Sequence, residues 1–168
     1  MVPLDASGGT TADVFLAIKT KRAGDIKGES AAVGHENAIV VSGWRWGVAA
    51  SAALGSAQAT SRRSYSHLVV TKHVDSASTA LMSVLVTNDE VKEAKLAMRK
   101  AGEGQRDYFT ITLNNARVIG VDLDCDASGT VVEHVSFAFT KVQVDYEVQK
   151  SSGQRGSSTT FNDELLTS

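Results

Sequence analysis

After Pro3 the chain contains no proline. Every later residue keeps its backbone N–H, so the whole body can enter long, uninterrupted strand pairing. The apolar residues use that freedom with a period of two. Val14, Leu16 and Ile18 alternate with Phe15, Ala17 and Lys19. Leu68, Val70 and Val74 oppose Tyr65, His67, Val69 and Thr71, and Ala94, Leu96 and Met98 oppose Glu93, Lys95 and Arg99. Phe109, Ile111 and Leu113 face inward in the next extended pair, which continues from Val118 to Leu123. Such alternation marks half-buried strands.

The longest extended run is 131–150. Its apolar face is odd-numbered at Val135, Phe137 and Phe139, then even-numbered at Val142, Val144, Tyr146 and Val148. A phase slip near Thr140 and Lys141 flips the faces. A bulge there, or a strand passing from one sheet to another, would produce it. One stretch has the other period. Ala77, Ala80, Leu81, Val84 and Leu85 recur at helical spacing and predict one short amphipathic helix over about 76–87. Asp75 or Ser76 can cap it and Asn88 can end it. The sum is a mainly β chain, a barrel or sandwich carrying one helix.

Both tryptophans lie in 39–48. In one extended strand, Val40, Trp44, Trp46 and Val48 share a face, with Ile39, Val41 and Arg45 on the other. Two indoles on one face need a broad cover, from this chain or from another subunit. Trp44, Trp46, Phe137 and Phe139 are therefore the candidate anchors. Residues 20–37 read as a long polar loop, and 49–63 as a small, polar excursion. An excursion of that length is usually functional or disordered.

At 168 residues the chain suits one domain. Residues 1–12 read as a loose lead, 13–150 as a single body and 151–168 as a Ser/Gly-rich tail, mobile over 151–160, whose closing 161–166 either docks or stays free. The formal net charge of −2 gives no global pull towards nucleic acid or an anionic membrane. Cys125 is the single cysteine, so no intrachain disulfide is possible. No apolar run suits a membrane helix, and the start lacks the basic and apolar blocks of a secretory signal. The expectation is a protein made in the cytoplasm that leaves the cell, if it does, without a signal.

Chemical motifs are sparse. Asp122, Asp124, Asp126 and Glu133 occupy positions 1, 3, 5 and 12 of a calcium-loop pattern, but position 6 is Ala127 rather than glycine. The flanks alternate like strands, so the stretch reads as an acidic hairpin turn. His35, His67, His73 and His134 are dispersed without metal-ligand spacing. Asp89 and Glu90 read as turn or surface residues. No nucleophile elbow or phosphate loop occurs. The expectation is no enzyme, no cofactor and no metal.

Seven motifs stand in a recognisable order across 13–150. They begin with Asp13-Val-Phe-Leu-Ala-Ile, Ile26-Lys-Gly-Glu-Ser30 and His35-Glu36. Then come Ser42-Gly-Trp-Arg-Trp-Gly47, Thr71-Lys-His-Val-Asp75 and Leu96-Ala-Met-Arg-Lys-Ala-Gly102. Phe137-Ala-Phe-Thr-Lys-Val-Gln-Val-Asp-Tyr146 closes the series. The series resembles the haemolysin-coregulated protein family, the inner-tube component of the bacterial type VI secretion system.

The resemblance implies a β-barrel of two antiparallel sheets with one flanking helix, related to phage tail-tube proteins. It implies homohexameric rings stacked into a hollow tube, which carry or chaperone effectors and work with spike and sheath proteins. It also implies export by a signal-less type VI route. The family has an extended loop at 49–63 that meets a neighbouring subunit or ring, which makes Ser56, Gln58, Thr60, Arg62 and Arg63 contact candidates. Where the family often carries lumen-facing serines, this chain has Ile119 and Gly120, so no cargo residue carries over. Two readings from other classes stand beside it. One is a monomeric β-sandwich module that binds a saccharide or protein on Trp44 and Trp46. The other is a calcium-dependent or hydrolytic enzyme around the acidic turn.

Overall fold

The alternating segments become strands. In a computed structural model that describes residues 12–51, 62–100, 106–149 and 155–165, the first is β1 (Ala12–Thr20), followed by the short β2 (Asp25–Ile26), β3 (Ile39–Val41) and β4 (Gly43–Arg45). β5 (Val48–Ser51) and β6 (Arg62–Tyr65) come next, then β7 (Leu68–His73) and the helix α1 (Ser78–Val86). β8 (Val91–Lys100), β9 (Asp107–Cys125), β10 (Val131–Gln149) and β11 (Arg155–Glu164) are the last of the described elements. The fold is mainly β with one short helix.

One antiparallel sheet of nine strands runs β2-β1-β8-β9-β10-β7-β4, with β3 also on β1 and β11 also on β10. β5 and β6 form a separate two-stranded ribbon. Leu16, Ile39, Leu68, Val70, Leu96, Ile111, Leu113, Val135 and Phe137 line the inner face and are all but fully buried. The expected barrel of two sheets takes a looser form. β3 pairs with β1 at one end of the order, and β4 pairs with β7 at the other. Ser42 alone separates them. The sheet is thus rolled by a covalent step, and among the described strands no ladder closes it into a barrel.

That step also corrects the single tryptophan strand. Ile39 and Val41 are buried while Val40 is exposed. After Ser42, whose N–H bonds the Thr71 carbonyl at 2.8 Å, Trp44 and Trp46 turn towards the core. The inward parity changes from odd to even because the chain changes partner, not because one strand persists.

The phase slip in β10 is real. Val135 and Phe137 are buried before it and Val142 after it. β9 flips at the facing position, where Asn115 adopts a left-handed φ of 49°. Phe139 pairs with Ala116 and Lys141 with Asn114, so register is kept while both strands turn over. A separate bulge leaves Ile119 unpaired opposite Ser136 and Phe137. β7 covers 132–137 of β10, and β11 covers the same edge beyond the slip. The tail expected to be mobile therefore supplies a strand at Arg155–Glu164.

Helix α1 buries Ser78, Leu81 and Val84 against the sheet. It is shorter than expected. Asp75 Oδ1 accepts the Ala77 N–H at 2.9 Å just ahead of the first turn. Asn88, with φ 52°, reverses the chain after it, as an αL residue commonly does.

Candidate functional site: an exposed ribbon and its anchors

The ribbon stands apart from the sheet. Val48–Ser51 is exposed throughout, and its register pairs Val48 with Tyr65 and Ser51 with Arg62. Ser56, Gln58 and Thr60 lie outside the described residues. Arg62 belongs to β6 by its backbone, and Arg63 turns back towards the body. Arg63 Nε and Nη2 both donate to Asp163, the second at 3.3 Å. The Tyr65 hydroxyl donates to the same carboxylate at 2.6 Å. The Arg63 guanidinium and the Tyr65 hydroxyl hold Asp163 below the usual carboxylate range.

The candidate anchors meet beside this base. Trp46 stacks on Tyr65 with ring centroids 5.8 Å apart, and Tyr65 meets Phe139 edge-on at 5.7 Å. Trp44 stacks on Phe109 at 6.0 Å and donates from Nε1 to Met98 Sδ at 3.3 Å. Phe137 is fully buried, whereas Trp44, Trp46 and Phe139 are half-buried against the core. The indoles therefore do not form the free aromatic platform that a saccharide module would use.

The acidic stretch does not converge. Cross-strand pairs share a face, so Asp122 and Asp124 lie with His134 and Val132, while Glu133 lies with Leu123 on the other face. Asp126 takes bonds from Ser128 N and Oγ and from Thr130 N, at 2.9, 2.6 and 3.1 Å. The Ser128 hydroxyl and these amides keep its carboxyl low. It organises a turn. Among the described residues, no group of three or more His, Cys, Asp or Glu could hold a metal ion.

Glu133 has another partner, which sequence reasoning missed. It stands directly opposite Lys72 in the β7–β10 register, and both side chains are fully buried. Lys72 Nζ lies 3.1 Å from Glu133 Oε1 and 2.8 Å from Asp75 Oδ1. Ser78 Oγ donates to Glu133 Oε1 at 2.6 Å, which docks the start of α1 on the pair. The signal was available: Lys72 continues the inward parity of Leu68 and Val70.

Asp89 was also misjudged as a turn or surface residue. It is 2% exposed and accepts the N–H groups of Arg22 and Ala23 at 3.0 and 2.9 Å. Burial alone would raise its carboxyl. Those amides, the Thr20 hydroxyl and the Arg22 guanidinium outweigh burial and hold it low. Of the histidines, His35 pairs with Asp107 at 2.8 Å and stacks on Phe15 at 4.4 Å, pinning the 27–38 loop over β1. His134 shares a hydrogen bond with Thr71 Oγ1 at 3.1 Å.

The family model described as "Type VI secretion system effector, Hcp" matches residues 15–146. "Protein hcp1" of Pseudomonas aeruginosa is 33% identical over 147 residues, covering 85% of this chain and 88% of that protein. "Major exported protein" of the same organism is 27% identical over 138 residues, covering 77% and 80%. A solved structure described as a type six secretion system protein superposes with a TM-score of 0.82 at 22% identity, over 92% of this chain and 96% of that one, a likeness of fold. With the family pattern running through most of the strands just described, the chain belongs to the Hcp family of the type VI secretion system.

Proposed function

We propose that this chain is a structural subunit of the type VI secretion inner tube. It forms homohexameric rings that stack into a hollow tube and carry or chaperone effectors. The family match over 15–146 carries the reading. The surface supports it. Val40, Val48, Ile119, Leu123, Tyr146, Val148 and Phe161 are exposed large apolar residues, the kind of surface that subunit contacts cover. The ribbon, exposed on every residue of β5, suits contact between rings, with Ser56, Gln58, Thr60, Arg62 and Arg63 as its candidates.

The partners are further copies of the chain, then spike, sheath and effector proteins. No nucleic acid and no membrane insertion enter this role, which also needs no catalysis. No described helix is long and apolar enough to cross a membrane. The subunit is made in the cytoplasm and exported by the signal-less route, in keeping with the name of the "Major exported protein" relative.

Light scattering after size exclusion, with negative-stain microscopy, tests the reading. The expected result is the mass of six chains and ring-shaped particles. A strict monomer at micromolar concentration, with no rings, would overturn it. Deleting residues 56–61 is expected to leave rings and reduce stacking. Unchanged stacks would move the inter-ring contact elsewhere.

A further inference from the structure

The β5–β6 ribbon lacks what usually fixes a hairpin. Its first strand is wholly exposed, and a two-stranded ribbon is marginal by itself in water. Its direction must therefore be set at its base. There Ser66 donates from N and Oγ to the Gly47 carbonyl at 2.9 and 3.1 Å, and Trp46 stacks on Tyr65. The remaining support comes from the far end of the chain. Asp163 of β11 accepts from Nε and Nη2 of Arg63 and from the Tyr65 hydroxyl. Arg63 Nη2 also donates to the Glu164 carbonyl at 3.2 Å. Arg63 and Tyr65 are two residues apart in a strand, so they share the face that looks at β11.

Asp163 stands on a firm support. It pairs with Val142, a core residue, and so lies on the core-bearing face. A carboxylate there without partners would be costly. β11 is held to β10 from Lys141 onward. On the opposite face, Asp145 accepts from Thr160 of β11 at 2.7 Å and from Thr110 of β9 at 3.4 Å, which ties three strands together. Leu165 N–H closes the end on the Thr140 carbonyl at 2.6 Å.

We infer that β11 is a latch for the ribbon: Asp163 holds Arg63 and Tyr65 so that the ribbon leaves the body in one fixed direction, and releasing β11 frees it. A forked arginine–carboxylate contact is suited to this because it fixes orientation as well as proximity. Asp163 is thus a positioning residue. Its consequence for stacking rests on the tube reading above: the latch sets how one ring presents its ribbon to the next.

Hydrogen exchange on the full chain tests the latch without needing tubes. In Asp163→Asn, the amides of 48–51 and 62–65 should exchange about tenfold faster, while those of β1 and β8 stay unchanged. Tyr65→Phe removes one of the bonds and should give a smaller increase, which keeps the test usable if Asp163→Asn folds poorly. The same variants should keep the ring mass and lower the fraction of protein that sediments as stacks. Ribbon exchange at the wild-type rate in both variants would overturn the latch. Faster ribbon exchange with undiminished stacks would overturn its role in assembly. If the wild-type chain makes no rings, the tube reading fails, and the exchange result still decides the latch.

Discussion

Lys72 and Glu133 face each other directly across β7 and β10, with Nζ 3.1 Å from Oε1 and neither side chain exposed. Asp75 and Ser78 complete the cluster at the start of α1. Glu133 Oε2 is buried with no hydrogen-bond partner among the described residues, so the cluster already carries a cost. Breaking a buried pair from one side strands a charge, at about 3–5 kcal/mol. Lys72→Met is expected to lower unfolding stability by about that amount, and Glu133→Gln by less, because an amide can still accept from Ser78. Lys72→Met with Glu133→Leu should cost less than the two single losses combined. Urea unfolding of the wild type, Lys72→Met, Glu133→Gln, Glu133→Leu and the double checks the order; strict additivity of Lys72→Met and Glu133→Leu would show that the pair is uncoupled.

Asp89 joins the turn after β1 to the end of α1 through the amides of Arg22 and Ala23. Its carboxyl is held below the ordinary value of 3.8 in the folded chain. A depressed folded pKa stabilises above the unfolded value and loses that contribution as pH falls through the folded one. Asp89→Asn should therefore cost about 1–3 kcal/mol at pH 7, with the gap from wild type closing as pH drops below about 4. Urea midpoints at several pH values read this directly. A gap that stays constant with pH would mean that the charge is not what matters.

The anchors should separate by burial. Phe137 is fully enclosed, and Phe137→Ala should cost about 3–5 kcal/mol through the cavity it leaves. Trp44, half-buried on Phe109, should lose less on truncation but still lower the melting temperature. Arg45 is exposed, and Arg45→Ala should stay within about 0.5 kcal/mol. A Trp44→Ala protein that melts like wild type would remove the indole from the anchor.

Two glycines differ in what surrounds them. A Cβ on Gly28 would sit 2.5 Å from the Ala38 carbonyl oxygen, where the 28–30 segment bonds back to 37–38. Gly28→Ala is expected to cost about 1–3 kcal/mol. At Gly120 the nearest atoms are Ser136 Oγ and Cβ at 3.5 and 3.6 Å, and Gly120→Ala should be close to neutral or slightly stabilising. Thermal melts of the two variants check the contrast.

Local periodicity carried much of the fold. Val14, Leu16 and Ile18, then Leu68 and Val70, then Ala94 and Leu96, are inward as their alternation predicts, and Val91–Lys100 forms β8. The slip in β10 was legible because apolar parity changes within one run of residues. Lys72 was legible too, had its parity been weighed above its charge. Glu133 was not, because its calcium-like spacing is a local pattern and its partner is 61 residues away.

What the sequence determined alone was therefore the long core strands, one short helix and the ordered family motifs, since each depends on neighbours within a few residues. The tertiary structure decided the rest. It broke the tryptophan run at Ser42, because β3 and β4 belong to opposite ends of the sheet. It recruited the polar tail as β11, because β10 left an edge free beyond β7. It brought Asp163 to Arg63, 100 residues apart. Alternation says which face a side chain takes, but only strand order and register say which other side chain waits there.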